Sequence, residues 1–220
     1  MEIITGIISF VLHIDVHLGQ IIANYGVMSY AILFAILFAE TGFVFTPFLP
    51  GDSLLFAAGA FAAIGSFNVW ILLFLLWTAA FLGDNTNYWI GRFFGQKIVD
   101  NPKIPLNKEH VDKTQKFYDK HGGVAVFLAR FLPIIRTFAP FVAGIGKMKY
   151  KKYIYYSATG GFAWVFGFVL LGYFFGNIPG IKKNFSVIVI AIIILSVLPI
   201  ATELIKAKMK KSKSSTDSKI

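Results

Sequence analysis

Four ionisable side chains stand where an apolar chain would not put them. Glu40 and Asp52 fall in residues 40–55, ETGFVFTPFLPGDSLL; Arg130 and Arg136 fall in residues 129–144, ARFLPIIRTFAPFVAG. Each stretch is otherwise mostly apolar and carries two prolines, Pro47 and Pro50 in the first, Pro133 and Pro140 in the second. A charge near the centre of a bilayer costs at least ~2.5–3.5 kcal/mol on insertion scales, so a membrane protein that keeps four of them uses them. A buried carboxyl can take up and release a proton. An arginine stays charged, and its planar fork matches a phosphate. Acids alone point to a transported cation. Acids with arginines point to an anionic substrate moved with protons, and a phosphate inside a membrane belongs to a lipid head group. Structural alternatives stand beside this reading. Glu40 would be harmless at a wet helix end, Asp52 could cap a helix, and the arginines could reach backbone carbonyls or snorkel to the surface.

The class of protein follows from long runs without charge. The 220 residues are 56% hydrophobic and only 15% charged, where a soluble domain carries about 25%. No Asp, Glu, Lys or Arg occurs in 53–83, 153–181 or 184–202. A helical span needs about 20 apolar residues, so each run suffices for a polytopic all-α membrane protein. The formal net charge is +10, but the lysines gather at span ends and in the tail. That is the pattern of cytoplasmic orientation and anionic-lipid attraction rather than of nucleic-acid binding. With no cysteine, disulfide and thiolate chemistry are excluded. The opening MEII is acidic, with no small-residue cleavage site, so no removed signal peptide is expected. His13 and His17 share a helical face without a third ligand nearby, so neither a metal nor a cofactor is expected.

These charges must be positioned by a small set of elements. Residues 1–20 read as an interfacial amphipathic helix. A crossing near 24–42 leads into a re-entrant hairpin over 42–66, and a second crossing follows to residue 95, the two making a first repeat over 24–95. Within that crossing Asp84, Asn87, Tyr88 and Gly91 share one face, which should turn toward protein or a cavity. The hydrophilic segment 96–121 reads as a surface helix. A second repeat over 107–176 contains a hairpin over 122–146 and a crossing over 153–176. A last crossing at 185–205 precedes a basic tail, 206–220. About four crossings result, within a single membrane domain over 1–205. Pro133 and Pro140 break helical bonding in the second hairpin as Pro47 and Pro50 do in the first.

Lysine bias places the tail and the Lys147–Lys152 cluster in the cytoplasm, and parity then makes the hairpins enter from opposite faces. Opposed broken hairpins are the mark of an inverted repeat with its site at the midplane. The letters agree: Phe48-Leu49-Pro50 recurs as Phe131-Leu132-Pro133, and Gly91-Arg92-Phe93-Phe94-Gly95 recurs as Gly172-Tyr173-Phe174-Phe175-Gly176. Asp84 and Arg92 are eight apart on one helix, about 12 Å, too far to pair. Asp84 should therefore hold a neighbouring element such as a hairpin arginine.

Three motifs carry a family resemblance. They are E-T-G-x3-T-P-x-L-P-G-D-S from Glu40, G-D-x3-Y-x2-G-R-x2-G from Gly83, and R-F-x-P-x2-R-T-x2-P-x2-A-G from Arg130. In combination, over about residues 20–205, they resemble the DedA family of membrane proteins. The resemblance implies opposed re-entrant loops and movement of a lipid between leaflets of the bacterial plasma membrane. The implied cargo is undecaprenyl phosphate or phosphatidylethanolamine, with dependence on the proton gradient. It matches the family's acids to Glu40 and Asp52 and its arginines to Arg130 and Arg136. Pro50, Gly51, Asp84, Tyr88, Arg92, Pro133, Thr137 and Pro140 stand as supporting positions.

The expectation is a multi-pass lipid translocase, not an enzyme, with Glu40 and Asp52 coupling protons and Arg130 and Arg136 binding the phosphate. Its partners are a membrane lipid and protons, with no nucleic acid; a homo-oligomer is compatible with the sequence. A proton-coupled small-ion transporter is the alternative, in which the arginines are structural. A lipid phosphatase would want an intramembrane histidine, and His13, His17, His110 and His121 all lie outside the hairpin cores. A purely structural or assembly role remains a further alternative.

Overall fold

The computed structural model describes residues 14–43, 51–99, 116, 118, 120–176 and 178. Seven helices lie among the described residues: α1 (Ile14–Tyr25), α2 (Met28–Gly42), α3 (Gly51–Ala63), α4 (Val69–Val99), α5 (Val124–Ala129), α6 (Pro133–Ile145) and α7 (Tyr150–Phe175). Two of them are long and apolar enough to cross a membrane, Val69–Gly95 within α4 and all of α7. At 1.5 Å per residue each extends about 40 Å, more than the ~30 Å hydrocarbon core.

The expected crossing at 24–42 is corrected. Gly26 turns with φ +51, ending α1 at Tyr25, and α2 starts only at Met28. The 15 residues of α2 span roughly 22 Å, short of a full crossing. The apolar run across 25–39 hid this break, because glycine supplies a left-handed turn without any change in hydropathy. Of the helix expected over 1–20, residues 1–13 lie outside the described residues; the described part continues past 20 as α1, to Tyr25. It packs inward, burying Leu18 in the main core while Ser29 donates to the Ile21 carbonyl at 3.2 Å. The surface helix expected within 96–121, the crossing at 185–205, the tail and Pro50 fall mostly or wholly outside the described residues.

α4 begins where Asn68 Oδ1 accepts from the amides of Trp70 (3.0 Å) and Ile71 (3.2 Å), a side-chain cap on a long helix. α3 is short but buried nearly all round, from Ser53 to Ala60 without a break. It is enclosed by α7, α1 and α4, and a helix apolar on every face belongs in such a place. The main core joins Leu33, Leu37, Leu55, Leu72, Leu76, Trp164 and Val169. A smaller aromatic cluster joins Tyr88, Tyr153, Val126 and Ala143 at the other end.

Two helix pairs meet through glycine. On α3 and α7, a Cβ at Gly59 would strike the Val169 carbonyl and one at Gly172 the Phe56 carbonyl. On α6 and α4, a Cβ at Gly144 would strike the Tyr88 carbonyl and one at Gly91 the Phe141 carbonyl. Gly176 against Ala60 and Gly95 against Ile145 extend the two seams. The seams correspond residue by residue. Gly59, Phe56 and Ala60 map onto Gly144, Phe141 and Ile145 at an offset of 85, and Tyr88, Gly91 and Gly95 map onto Val169, Gly172 and Gly176 at an offset of 81. In lipid, where apolar burial gives little drive between helices, close backbone approach of this kind holds them together.

Candidate functional site

The ends of four short elements converge on the middle of α4 and α7. Glu40 lies in the last turn of α2 and Asp52 in the first turn of α3. Arg130 follows α5 directly, and Arg136 lies in the first turn of α6. Pro133 opens α6 at its first helical positions, where the missing N–H costs nothing, and the Arg136 amide closes that turn on the Leu132 carbonyl at 2.8 Å. Pro140 sits inside α6. It has no N–H to offer the carbonyl four residues back, so the helix leaves the Arg136 carbonyl without its usual donor.

Arg136 bridges both acids. Its Nη1 donates to Asp52 Oδ1 at 2.5 Å and its Nη2 to Glu40 Oε1 at 2.8 Å. The Glu40 carboxylate lies against Gly51, so a Cβ at the start of α3 would push that carboxylate from its present position. Arg130 takes a different partner. It is paired with Asp84 of α4, and Asp84 Oδ2 also accepts from Ser157 Oγ at 2.7 Å. Tyr153 donates to the Asp84 carbonyl at 2.8 Å, so α7 holds this aspartate by both side chain and backbone.

The two ion pairs differ in access. Side-chain exposure is 3% and 2% for Arg130 and Asp84, but 12% and 13% for Arg136 and Asp52. The inner pair is sealed, and the outer one opens to its surroundings. Trp164 is within reach of both. The Arg136 guanidinium lies 4.7 Å and that of Arg130 5.5 Å from its ring, and its Nε1 donates to Asp52 Oδ1 at 2.8 Å. Desolvated contacts of this kind are worth about 2 kcal/mol each. Three carboxyls and two guanidiniums thus meet in one buried cluster, one negative charge in excess when all are ionised.

Asn87, on the expected polar face of α4, donates to the Thr41 carbonyl at 3.2 Å and to the Thr137 carbonyl at 2.9 Å. It ties the end of α2 to α6 beside the charges, which gives Thr137 its place. Tyr88 and Arg92 stand apart from the cluster. The Tyr88 hydroxyl donates to the Met148 carbonyl at 2.7 Å and accepts from Arg92 Nη1 at 3.3 Å, so both steady the loop between α6 and α7.

Sequence reasoning passed over Trp164, Ser157 and Tyr153. One signal was available for Trp164. Tryptophan gathers at membrane interfaces, yet this one sits fifteen residues into a 26-residue crossing.

Residues 49–174 match the VTT domain family. The chain is 51% identical over 211 residues to Protein DedA of Escherichia coli (strain K12), covering 94% of this chain and 96% of that protein. It is 40% identical over 165 residues to the uncharacterized membrane protein ML0287 of Mycobacterium leprae, 74% of each chain. It is also 34% identical over 173 residues to the inner membrane protein YghB of Escherichia coli (strain K12), 78% of each. No solved structure matches it.

Proposed function

This chain belongs to the DedA family of VTT-domain membrane proteins, and from that premise we propose that it moves a phosphate-bearing lipid between leaflets with proton coupling. Undecaprenyl phosphate or a phospholipid is the cargo, in the plasma membrane of a bacterium. The observation that carries this reading is the double hold on Arg136. A guanidinium shared by Glu40 and Asp52 at the more accessible end of the cluster is a phosphate fork occupied by two exchangeable anions. A phosphate displaces the carboxylates; a proton replaces the arginine on one of them. The charge of the site is then conserved when a singly charged phosphate enters with one proton. Arg130, paired with Asp84 beside Trp164, supplies a fixed positive field to the same phosphate. The lipid tail stays in the bilayer throughout, and no bond in it is made or broken.

In this reading 24–95 and 107–176 are inverted repeats, with α3 and α6 as arms of re-entrant hairpins entering from opposite faces. The matched glycine seams support it, since each hairpin helix packs on the crossing helix of the other half through corresponding residues. The lysine distribution supports a cytoplasmic C-terminus in this reading.

The test is Arg136→Ala in a reconstituted flipping assay with a labelled polyprenyl phosphate. Transport is expected to vanish while the protein still inserts and purifies; full activity would end the assignment. The excess negative charge of the cluster favours one other reading, a proton-coupled small-ion transporter. Ion flux in vesicles that is indifferent to added lipid phosphate, and that survives Arg136→Ala, would select it.

A further inference from the structure

We propose that the cavity between the start of α5, the end of α6 and the start of α7 is a second anion site, where Lys149 and Lys152 hold the phosphate of an anionic membrane lipid. It is separate from the Arg136 cluster and stands whether or not the protein moves lipid. Lys152 and Trp164 are twelve residues apart on α7, about 18 Å.

Two tight turns build this cavity. Gly122, with φ +59, closes the turn before α5, its amide donating to the Tyr118 carbonyl at 2.7 Å. Across from it, Lys147, with φ +51, turns the chain out of α6, and the Met148 amide donates back to the Ala143 carbonyl at 3.0 Å. A left-handed residue just past a helix reverses the chain, so α7 starts beside the end of α6. Between the turns lie about 490 Å³ of space, within the roughly 300–1,000 Å³ of small-ligand pockets. Tyr118, Val142, Ala143 and Met148 give it apolar walls. The Tyr118 hydroxyl donates to the Ala139 carbonyl at 2.7 Å, which fixes its ring. Lys149 and Lys152 line the same space. The Lys152 stem and the Tyr156 ring lie over Gly123, where a Cβ would collide with both.

Stability alone argues against lysine here. A helix N-terminus is the positive end of its dipole and disfavours cations. Yet Lys147, Lys149, Lys151 and Lys152 crowd the start of α7, whose first turn has no acid. Neither Lys149 nor Lys152 has an ion-pair partner among the described residues. A bias of lysine toward one face of the membrane accounts for the side, but not for two of the four lining a cavity. An anion between them offsets their repulsion and the dipole together.

The walls select the anion. Lysine binds phosphate as a point charge, and two ammoniums match a phosphate's two charges. A free phosphate has no use for apolar walls, whereas a lipid phosphate brings apolar atoms that Val142, Ala143 and the adaptable Met148 can cover. α7 is long and apolar enough to cross a membrane, and the cavity stands at its end. Basic pockets between helices at that level take lipid head groups.

Lysine acylation, read by mass spectrometry on the full-length protein in nanodiscs, tests the site directly. Phosphatidic acid in phosphatidylcholine should protect Lys149 and Lys152 several-fold more than Lys147 and Lys151, relative to phosphatidylcholine alone. Equal protection of all four would mean surface charge only and overturns the inference. Inorganic phosphate added to phosphatidylcholine discs should protect little; protection equal to that by phosphatidic acid overturns the assignment to a lipid. Native mass spectrometry gives a second measurement. The Lys149→Ala/Lys152→Ala protein should retain one phosphatidic acid fewer than the wild type, and Lys147→Ala/Lys151→Ala should retain as many. The same retention in both double variants overturns the inference. These amines report on the cavity alone, so their failure to respond leaves the Arg136→Ala transport result untouched, and the reverse holds too.

Discussion

Arg136 and Asp52 lie 84 residues apart in the chain and 2.5 Å apart across the site, joining the first turn of α6 to the first turn of α3. The contact needs both halves of the protein in place, so the site exists only in the assembled fold. Its partial exposure, against the closure of Arg130–Asp84, divides the cluster into a working pair and a supporting pair.

The supporting pair should behave as a buried ion pair. Arg130→Ala or Asp84→Ala alone leaves one charge without its partner and is expected to cost about 3–5 kcal/mol. Replacing both with Gln and Asn should recover much of that stability but not transport. Thermal melting in detergent, run beside the flipping assay, separates the two effects.

The working pair should demand a fork. Arg136→Lys preserves charge but cannot hold two oxygens in a planar bidentate grip. Transport is expected to fall at least tenfold with little change in melting temperature. Near-normal transport by the lysine protein would mean that charge alone suffices.

Phosphate binding should take up a proton. Under the proposed coupling the bound state would carry one more proton than the free state, so affinity is expected to rise as pH falls, by up to tenfold per unit. Calorimetry of farnesyl phosphate binding in buffers of different ionisation enthalpy counts the proton directly. Glu40→Gln should flatten both the pH slope and the buffer dependence.

The glycine seams should be matched in their sensitivity. Gly59→Ala and Gly144→Ala each push a Cβ onto a carbonyl of the partner helix and are expected to destabilise by about 1–3 kcal/mol. Gly167→Ala, with nothing nearby on the same helix α7, should be neutral or stabilising by about 0.5–1 kcal/mol. Melting temperatures of the three variants test this ranking.

Asn87 clamps two carbonyls from opposite halves. Asn87→Ala is expected to cost about 1–3 kcal/mol and to slow transport, because α2 and α6 lose their shared tie. Melting and flipping rates should fall together.

Much of the site could be read from residue type. Glu40, Asp52, Arg130 and Arg136 stand out because charge in an apolar stretch is costly, and the spacing on α4 already required Asp84 to find a partner on another element. What could not be read is geometry that leaves hydropathy unchanged. The turn at Gly26 and Val27 continues an apolar run, so α2 looked longer than it is. Trp164 looks like one more apolar residue among many until its neighbours are known. The burial of α3 on every side is likewise invisible to periodicity, since a run with no polar face gives no phase. The correspondence between the two glycine seams was faint in the letters, where glycine and phenylalanine are common, and shows in the contacts, where matched positions meet matched backbone atoms.

The lines along which α3 meets α7 and α6 meets α4 are made of main chain resting on main chain. At Gly59, Gly172, Gly91 and Gly144 no side chain stands between the two backbones; Ile145 on Gly95 and Ala60 on Gly176 are the side chains at the ends of the seams. A slide along such a rail needs no rotamer to flip, whereas a rotation about it would drive side chains into the gap. Under the translocation proposed above, a lengthwise step of either short helix would be the one that carries Asp52 or Arg136 toward one face of the bilayer or the other.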